Sequence, residues 1–251
     1  MIHRLRTLVT TTAGLMLIVT ADARTWKNHS GKSFEADYIS NDGKSVTLRR
    51  KKHIITFDIS KLHQEDQQWI KKNHPADPDA PKDVAPPKGA AFDSLEFGDS
   101  KTEVIKKLRK SKLVDGDIVE AMIARVGMNG IYRTKREIGG LKCKLYFEWT
   151  NGDLLREVSL RTKALDEDDY DAQLKGNWTE WVNLLTMLYG KPVQDGDYPL
   201  IDDLYDGLML GSHIWYTEEN HSIILGTGQD GNRYSAVVRI TSERITPNRI
   251  Q

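Results

Sequence analysis

The sequence predicts an α+β protein in which a small β-rich module is joined by a proline-rich linker to a larger two-layer α+β domain with a mainly antiparallel sheet. Three observations carry this prediction. Short runs of alternating apolar and polar residues, bounded by turn residues, recur in both regions and mark half-buried antiparallel strands. Segments of helical spacing with start and stop residues lie between them. Five of the eight prolines, Pro75, Pro78, Pro81, Pro86 and Pro87, fall within residues 75–91, which have no apolar periodicity and read as a semi-extended linker. The chain therefore divides into a signal peptide (1–23), a β-rich module (24–74), the linker (75–91) and the α+β domain (92–251).

Arg4 and Arg6 precede an apolar run at 8–19, and Ala21-Asp22-Ala23 supplies the small residues of a cleavage site. Cleavage between Ala23 and Arg24 is expected, and the chain is expected to be exported, periplasmic or secreted. The run is too short and too interrupted for a span of about 20 residues, so no membrane insertion is expected after cleavage. In the module, Phe34, Ala36 and Tyr38 alternate with polar residues, Asn41-Asp42-Gly43 offers a turn, and strands resume at 46–48 and 54–59. A short helix follows with Leu62, Trp69 and Ile70 inward.

The larger domain opens with Ser100-Lys101-Thr102-Glu103, a capping-box pattern ahead of Val104, Ile105 and Leu108. Asp117 and Glu120 suggest a second helix closed by Gly127. Leu141, Cys143, Leu145, Phe147 and Trp149 alternate with Lys142, Lys144, Tyr146 and Glu148, the strongest strand signal in the chain. Asn151-Gly152 predicts a tight hairpin turn with positive φ, returning through 153–162. A helix is expected over 178–189, capped by Asn177 and Glu180 and stopped by Gly190 and Pro192. Strands near 212–217, 221–226 and 233–241 complete a tandem α-βββ order.

Residues 24–73 carry Arg24-Thr25-Trp26, Gly31-Lys32, Phe34-Glu35-Ala36, Gly43-Lys44, Val46-Thr47-Leu48, Ile59-Ser60-Lys61-Leu62, Glu65-Asp66 and Trp69-Ile70. In these residues and their spacing the segment resembles the Sla homology domain of endocytic adaptors. The resemblance implies an SH3-like β-barrel that binds a protein or peptide ligand. It also implies that the basic residues Lys44, Arg49, Arg50, Lys51 and Lys52 meet a ligand carboxylate, the arginines in bidentate fashion. Lys51-Lys52-His53 replaces the glycine-bearing hairpin of the family, and His63 stands where a serine is usual.

Charge separates the regions. The chain holds 36 Lys/Arg and 36 Asp/Glu, and this balance argues against a nucleic-acid binder. Yet the module carries a formal +5 and the larger domain −5, so either the two attract each other or each recruits its own partner. Signatures of catalysis are sparse. Gly226-Thr227-Gly228-Gln229-Asp230-Gly231 matches a dinucleotide fingerprint in letters, but a strand rather than a helix follows it, so it reads as a hairpin. His213 and His221 are the candidates for a two-histidine metal site, which would need a carboxylate from Glu218, Glu219 or Asp230. Residues 166–171 and Asp202, Asp203 and Asp206 read as solvated acidic surface, without the ligand spacing of a calcium loop. Cys143, the only cysteine, reads as a core residue. No cofactor is implied, and the oligomeric state is left open.

These features favour an exported, non-catalytic adaptor. Two alternatives stay open: a hydrolase or metal-dependent enzyme with its site in 92–251, and a structural protein of the cell envelope.

Overall fold

The computed structural model describes residues 24–28, 31–41, 43–50, 53–75, 86 and 88–247. The expected signal peptide with Ala23, most of the linker, and Lys51 and Lys52 lie outside the described residues.

The module starts with β1 (Arg24–Lys27), β2 (Ser33–Asn41), β3 (Ser45–Arg50) and β4 (His53–Asp58), followed by a 3-10 turn and helix α1 (Gln64–Asn73). Asp66 is 3 % exposed and fastens α1 to β1. It accepts from Arg24 Nη2 and from the Lys27 backbone N–H, both at 2.7 Å, while the Arg24 guanidinium lies over the Trp69 ring at 4.4 Å. A buried carboxylate is tolerable only with such charge-assisted partners.

The larger region contains α2 (Lys101–Lys110), β5 (Val114–Asp115), α3 (Glu120–Val126), β6 (Arg133–Thr134), β7 (Cys143–Trp149), β8 (Leu155–Thr162), α4 (Lys175–Tyr189), β9 (Met209–Tyr216), β10 (Ser222–Asp230) and β11 (Arg233–Thr241). Ser100 and Glu103 form the expected reciprocal cap of α2. Asp117 takes no part in capping α3, whose start has no side-chain cap. Helix α4 begins before the expected position, through a π-helical turn at Tyr170–Leu174. Asn177 lies inside the helix and is buried, donating to Ile138 O and Gly139 O instead of capping. The β7–β8 turn also differs: Asp153, at φ 59°, takes the left-handed position, and neither Asn151 nor Gly152 does. The Gly226–Gly231 tract is strand and hairpin, with Asp230 opposite Arg233. A Cβ at Gly226 would stand 2.3 Å from Leu210 O, so the bulge there admits only glycine.

The strands lie side by side in the order β1-β2-β3-β4-β9-β10-β11-β8-β7-β6-β5, and every ladder is antiparallel. Strand β2 belongs to two sheets, pairing with β1 through 33–36 and with β3 through 37–41. The architecture is thus α+β with antiparallel sheets, but the expected SH3-like barrel is not formed, because no sheet closes among the described residues. Closure requires the last strand to return to the first. Here β4 pairs with β9 of the larger region, Ile54 opposite Gly211 and Thr56 opposite Met209. Just beyond β1, among the described residues, Asn28 makes an isolated bridge to Leu62.

This ladder joins the two regions that the sequence separates. Arg50 adds to it, donating to Asp203 O at 2.8 Å and lying 4.6 Å from the Tyr205 ring, with Lys32 at 4.5 Å from the same ring. Most of the core lies on one face of the sheet, where α4 packs against β9 and β10. On the opposite face Ile214 and Ile224 form a small second cluster with Met209, Ile39, Tyr216 and Ile245. No helix among the described residues is long and apolar enough to cross a membrane.

Candidate functional site

Side chains alternate across a strand, so a sheet with helices on one face presents its other set of residues outward. The outward face forms an open trough of about 1000 Å³ that runs from β2 and β3 across β9, β10, β11 and β8 to β7. Among the described residues, ten Lys/Arg and five Asp/Glu side chains line it. Its floor follows directly from the β7 alternation: Cys143, Leu145 and Phe147 are buried on the helix side, and Lys142, Lys144, Tyr146 and Glu148 point into the trough.

The centre of the floor is electrically closed. Arg239 grips Glu157 with two bonds, Nε to Oε1 at 2.7 Å and Nη2 to Oε2 at 2.6 Å, and Ser159 Oγ donates to Oε1 at 3.0 Å. Burial alone would raise the Glu157 pKa, but the Arg239 charge and these hydrogen bonds outweigh it and hold the carboxyl below its usual range. The corner made by β6, β7 and β8 is different. Arg133 stands opposite Lys144, Lys144 opposite Arg161, and Lys142 and Lys163 occupy the adjacent row. All five side chains are exposed.

No family model, curated protein or solved structure matches this chain.

The sequence-derived candidates are placed as follows. Lys44 lines the trough. Arg49 is half-buried, with its Nε enclosed and unpartnered. Arg50 is engaged with Asp203 and Tyr205. Arg24, the expected first residue after cleavage, is tied to Asp66. His213 and His221 occupy separate surroundings. His213 sits between Trp178 and Trp215, whereas His221 packs against the edge of Phe97 and under Gly89. Among the described residues no group of three or more His, Cys, Asp or Glu side chains could hold a metal ion.

Around His213 the fold assembles a serine, a histidine and an acid that the sequence did not bring together. His213 Nε2 lies 2.9 Å from Asp195 Oδ1, and Nδ1 lies 3.1 Å from Ser212 Oγ. Such a set invites comparison with a nucleophilic triad, which needs an accessible hydroxyl. Ser212 is 0 % exposed. Its oxygen accepts from Trp178 Nε1 at 3.2 Å, and its hydroxyl donates to Leu225 O at 3.1 Å, with the imidazole Nδ1 beside it. The set is a hydrogen-bonded clasp between α4 and β9, not a site a substrate can reach. Burial lowers the His213 pKa, with Asp195 offsetting part of the effect.

Cys143 is buried, and burial pushes its thiol up to about 12, so it is no nucleophile. The residues that sequence reasoning missed are Arg133, Arg161 and Lys163. The β7 alternation already signalled the polar face, but only the strand pairing shows which cations stand together on it.

Proposed function

We propose that this is an exported, non-catalytic binding protein that takes an acidic protein or peptide on its open sheet face. The observation that carries the reading is the trough itself, continuous across both regions and lined by twice as many cationic as anionic side chains. Complementary charge gives such a surface its partner selectivity and association rate. The basic module and the larger domain contribute to one surface, so the partner sees them together.

The test is site-specific photocrosslinking in producing cells. A photoreactive residue at Gln229 or Ser235, both lining the trough, is expected to yield discrete protein adducts. The same residue at exposed Lys106 on α2 should not, and Lys144→Glu should abolish the trough adducts. Adducts that are equal at all three positions, or absent from the trough positions, would overturn the reading.

A further inference from the structure

We infer that the β6–β8 corner is a subsite for one compact acidic cluster of the partner, two or three neighbouring Asp/Glu side chains flanked by uncharged residues. This rests on the reading of the trough as a binding face.

The excess charge of the trough is confined to this corner. Of the ten cations that line it among the described residues, Arg133, Lys142, Lys144, Arg161 and Lys163 stand here, and the other five are equalled in number by the five carboxylates. Arg239 is paired with Glu157, Arg156 with Glu243 and Arg233 with Asp166. None of the corner cations has a carboxylate partner among the described residues. The backbone register instead sets Arg133 opposite Lys144 and Lys144 opposite Arg161. Lys142 and Lys163 form the next row, linked by the Lys163 N–H to Lys142 O bond at 3.0 Å. Facing like charges on neighbouring strands destabilise a sheet, so folding gains nothing from this grid. Arg161 lies over the Tyr146 ring at 4.4 Å, which holds its guanidinium on the floor.

The dimensions of the grid set the ligand. Neighbouring strands lie about 4.8 Å apart and same-face rows about 6.7 Å, so the grid covers roughly 10 by 7 Å. Its facing cations leave three gaps, between 133 and 144, 144 and 161, and 142 and 163. A carboxylate in each gap relieves the repulsion and meets preplaced donors on both sides. Acidic side chains at i and i+2 of an extended segment, or at i and i+4 of a helix, lie about 5 to 7 Å apart and fit within this footprint. Acids spread further along a chain leave it. Beyond the grid the floor is uncharged or already neutralised. Across the strands, Val237 stands opposite Arg161 and Gly226 opposite Val237. Along them comes the row Tyr146, Ser159 and Arg239, the last closed by Glu157.

The experiment measures fluorescence anisotropy of the full chain with two labelled Ser-rich peptides of identical composition. One carries three consecutive Glu residues, and its isomer carries the same three spaced five residues apart. The clustered peptide is expected to bind about tenfold or more tightly than the spaced one, the equivalent of one charge-assisted contact. Lys144→Glu and Lys163→Glu should each erase that preference, with circular dichroism confirming the fold. Lys163 lies just beyond β8, so its variant carries the test if Lys144→Glu disturbs the sheet. Lys61→Glu, on the trough but outside the corner, should leave the preference unchanged. Equal affinity for the two isomers, a preference that survives both corner variants, or one lost in Lys61→Glu would overturn the subsite. So would a single-stranded oligonucleotide that binds more tightly than the clustered peptide. Trough-specific photocrosslinks with equal binding of the two isomers would sink the subsite alone, whereas loss of trough specificity would sink the reading beneath it.

Discussion

The centre of the open sheet face and its β6–β8 corner are built from the same residue types on adjoining strands, yet they differ in how charge is handled. At the centre Arg239 and Glu157 are mostly buried and satisfy each other with two short bonds. At the corner Arg133, Lys144 and Arg161 face one another without an acid between them. The first arrangement belongs to folding, because a buried charge must be matched. The second sets like charges across from one another, which works against folding, on a face open to solvent.

The largest effect should come from breaking the matched pair. Arg239→Ala leaves Glu157 buried and unpaired and is expected to cost about 3–5 kcal/mol in urea unfolding at pH 7. A loss below about 1 kcal/mol, the range of an exposed ion pair, would show that the centre is as solvated as the corner.

The same pair contributes to the response to acid. Because the folded pKa of Glu157 is lowered, its stabilisation is present above the unfolded value of about 4.3 and is lost as the pH falls through the folded value. The deficit of Arg239→Ala should therefore shrink between pH 7 and pH 3, since the lone Glu157 can then take up a proton. A deficit independent of pH in denaturation curves would contradict the assignment.

A similar contrast exists within the core. His213 has Asp195 and Ser212, whereas both ring nitrogens of His221 lack partners at 2 % exposure. Burial lowers the His221 pKa, an effect that Glu219 partly offsets. Its stability contribution is thus undiminished above about pH 6.5 and declines as the pH drops from there through the folded value. His221→Leu should flatten that decline and gain about 1 kcal/mol by removing unsatisfied polar atoms, read as the unfolding midpoint at pH 7 and pH 5.

The smallest effect is the most diagnostic for the corner. Lys144→Glu inserts an acid between two arginines and should stabilise the protein by less than about 1 kcal/mol while impairing partner binding. Lower stability in that variant would make the cation row a structural element.

Local chemistry was readable wherever neighbours in sequence decide it. The α2 capping box, the burial of Cys143 and the outward set Lys142, Lys144, Tyr146 and Glu148 all stand in the structure, whereas the 226–231 tract, read as a hairpin loop, is strand through Asp230 and turns only there. Readings failed where a local signal competed with a distant one. Asn177 reads as a cap but is drawn inward by the carbonyls of Ile138 and Gly139, and the module lacks a closed barrel because β4 pairs with β9.

By itself, the sequence determined which face of β7 is apolar, since a period of two depends only on the residues of that strand. Which strands adjoin, and in what register, was decided by the tertiary structure. Hydrogen bonds between β6, β7 and β8 bring residues 133, 144 and 161 into one row, and no local periodicity encodes that alignment. The cation grid exists only once the sheet is assembled.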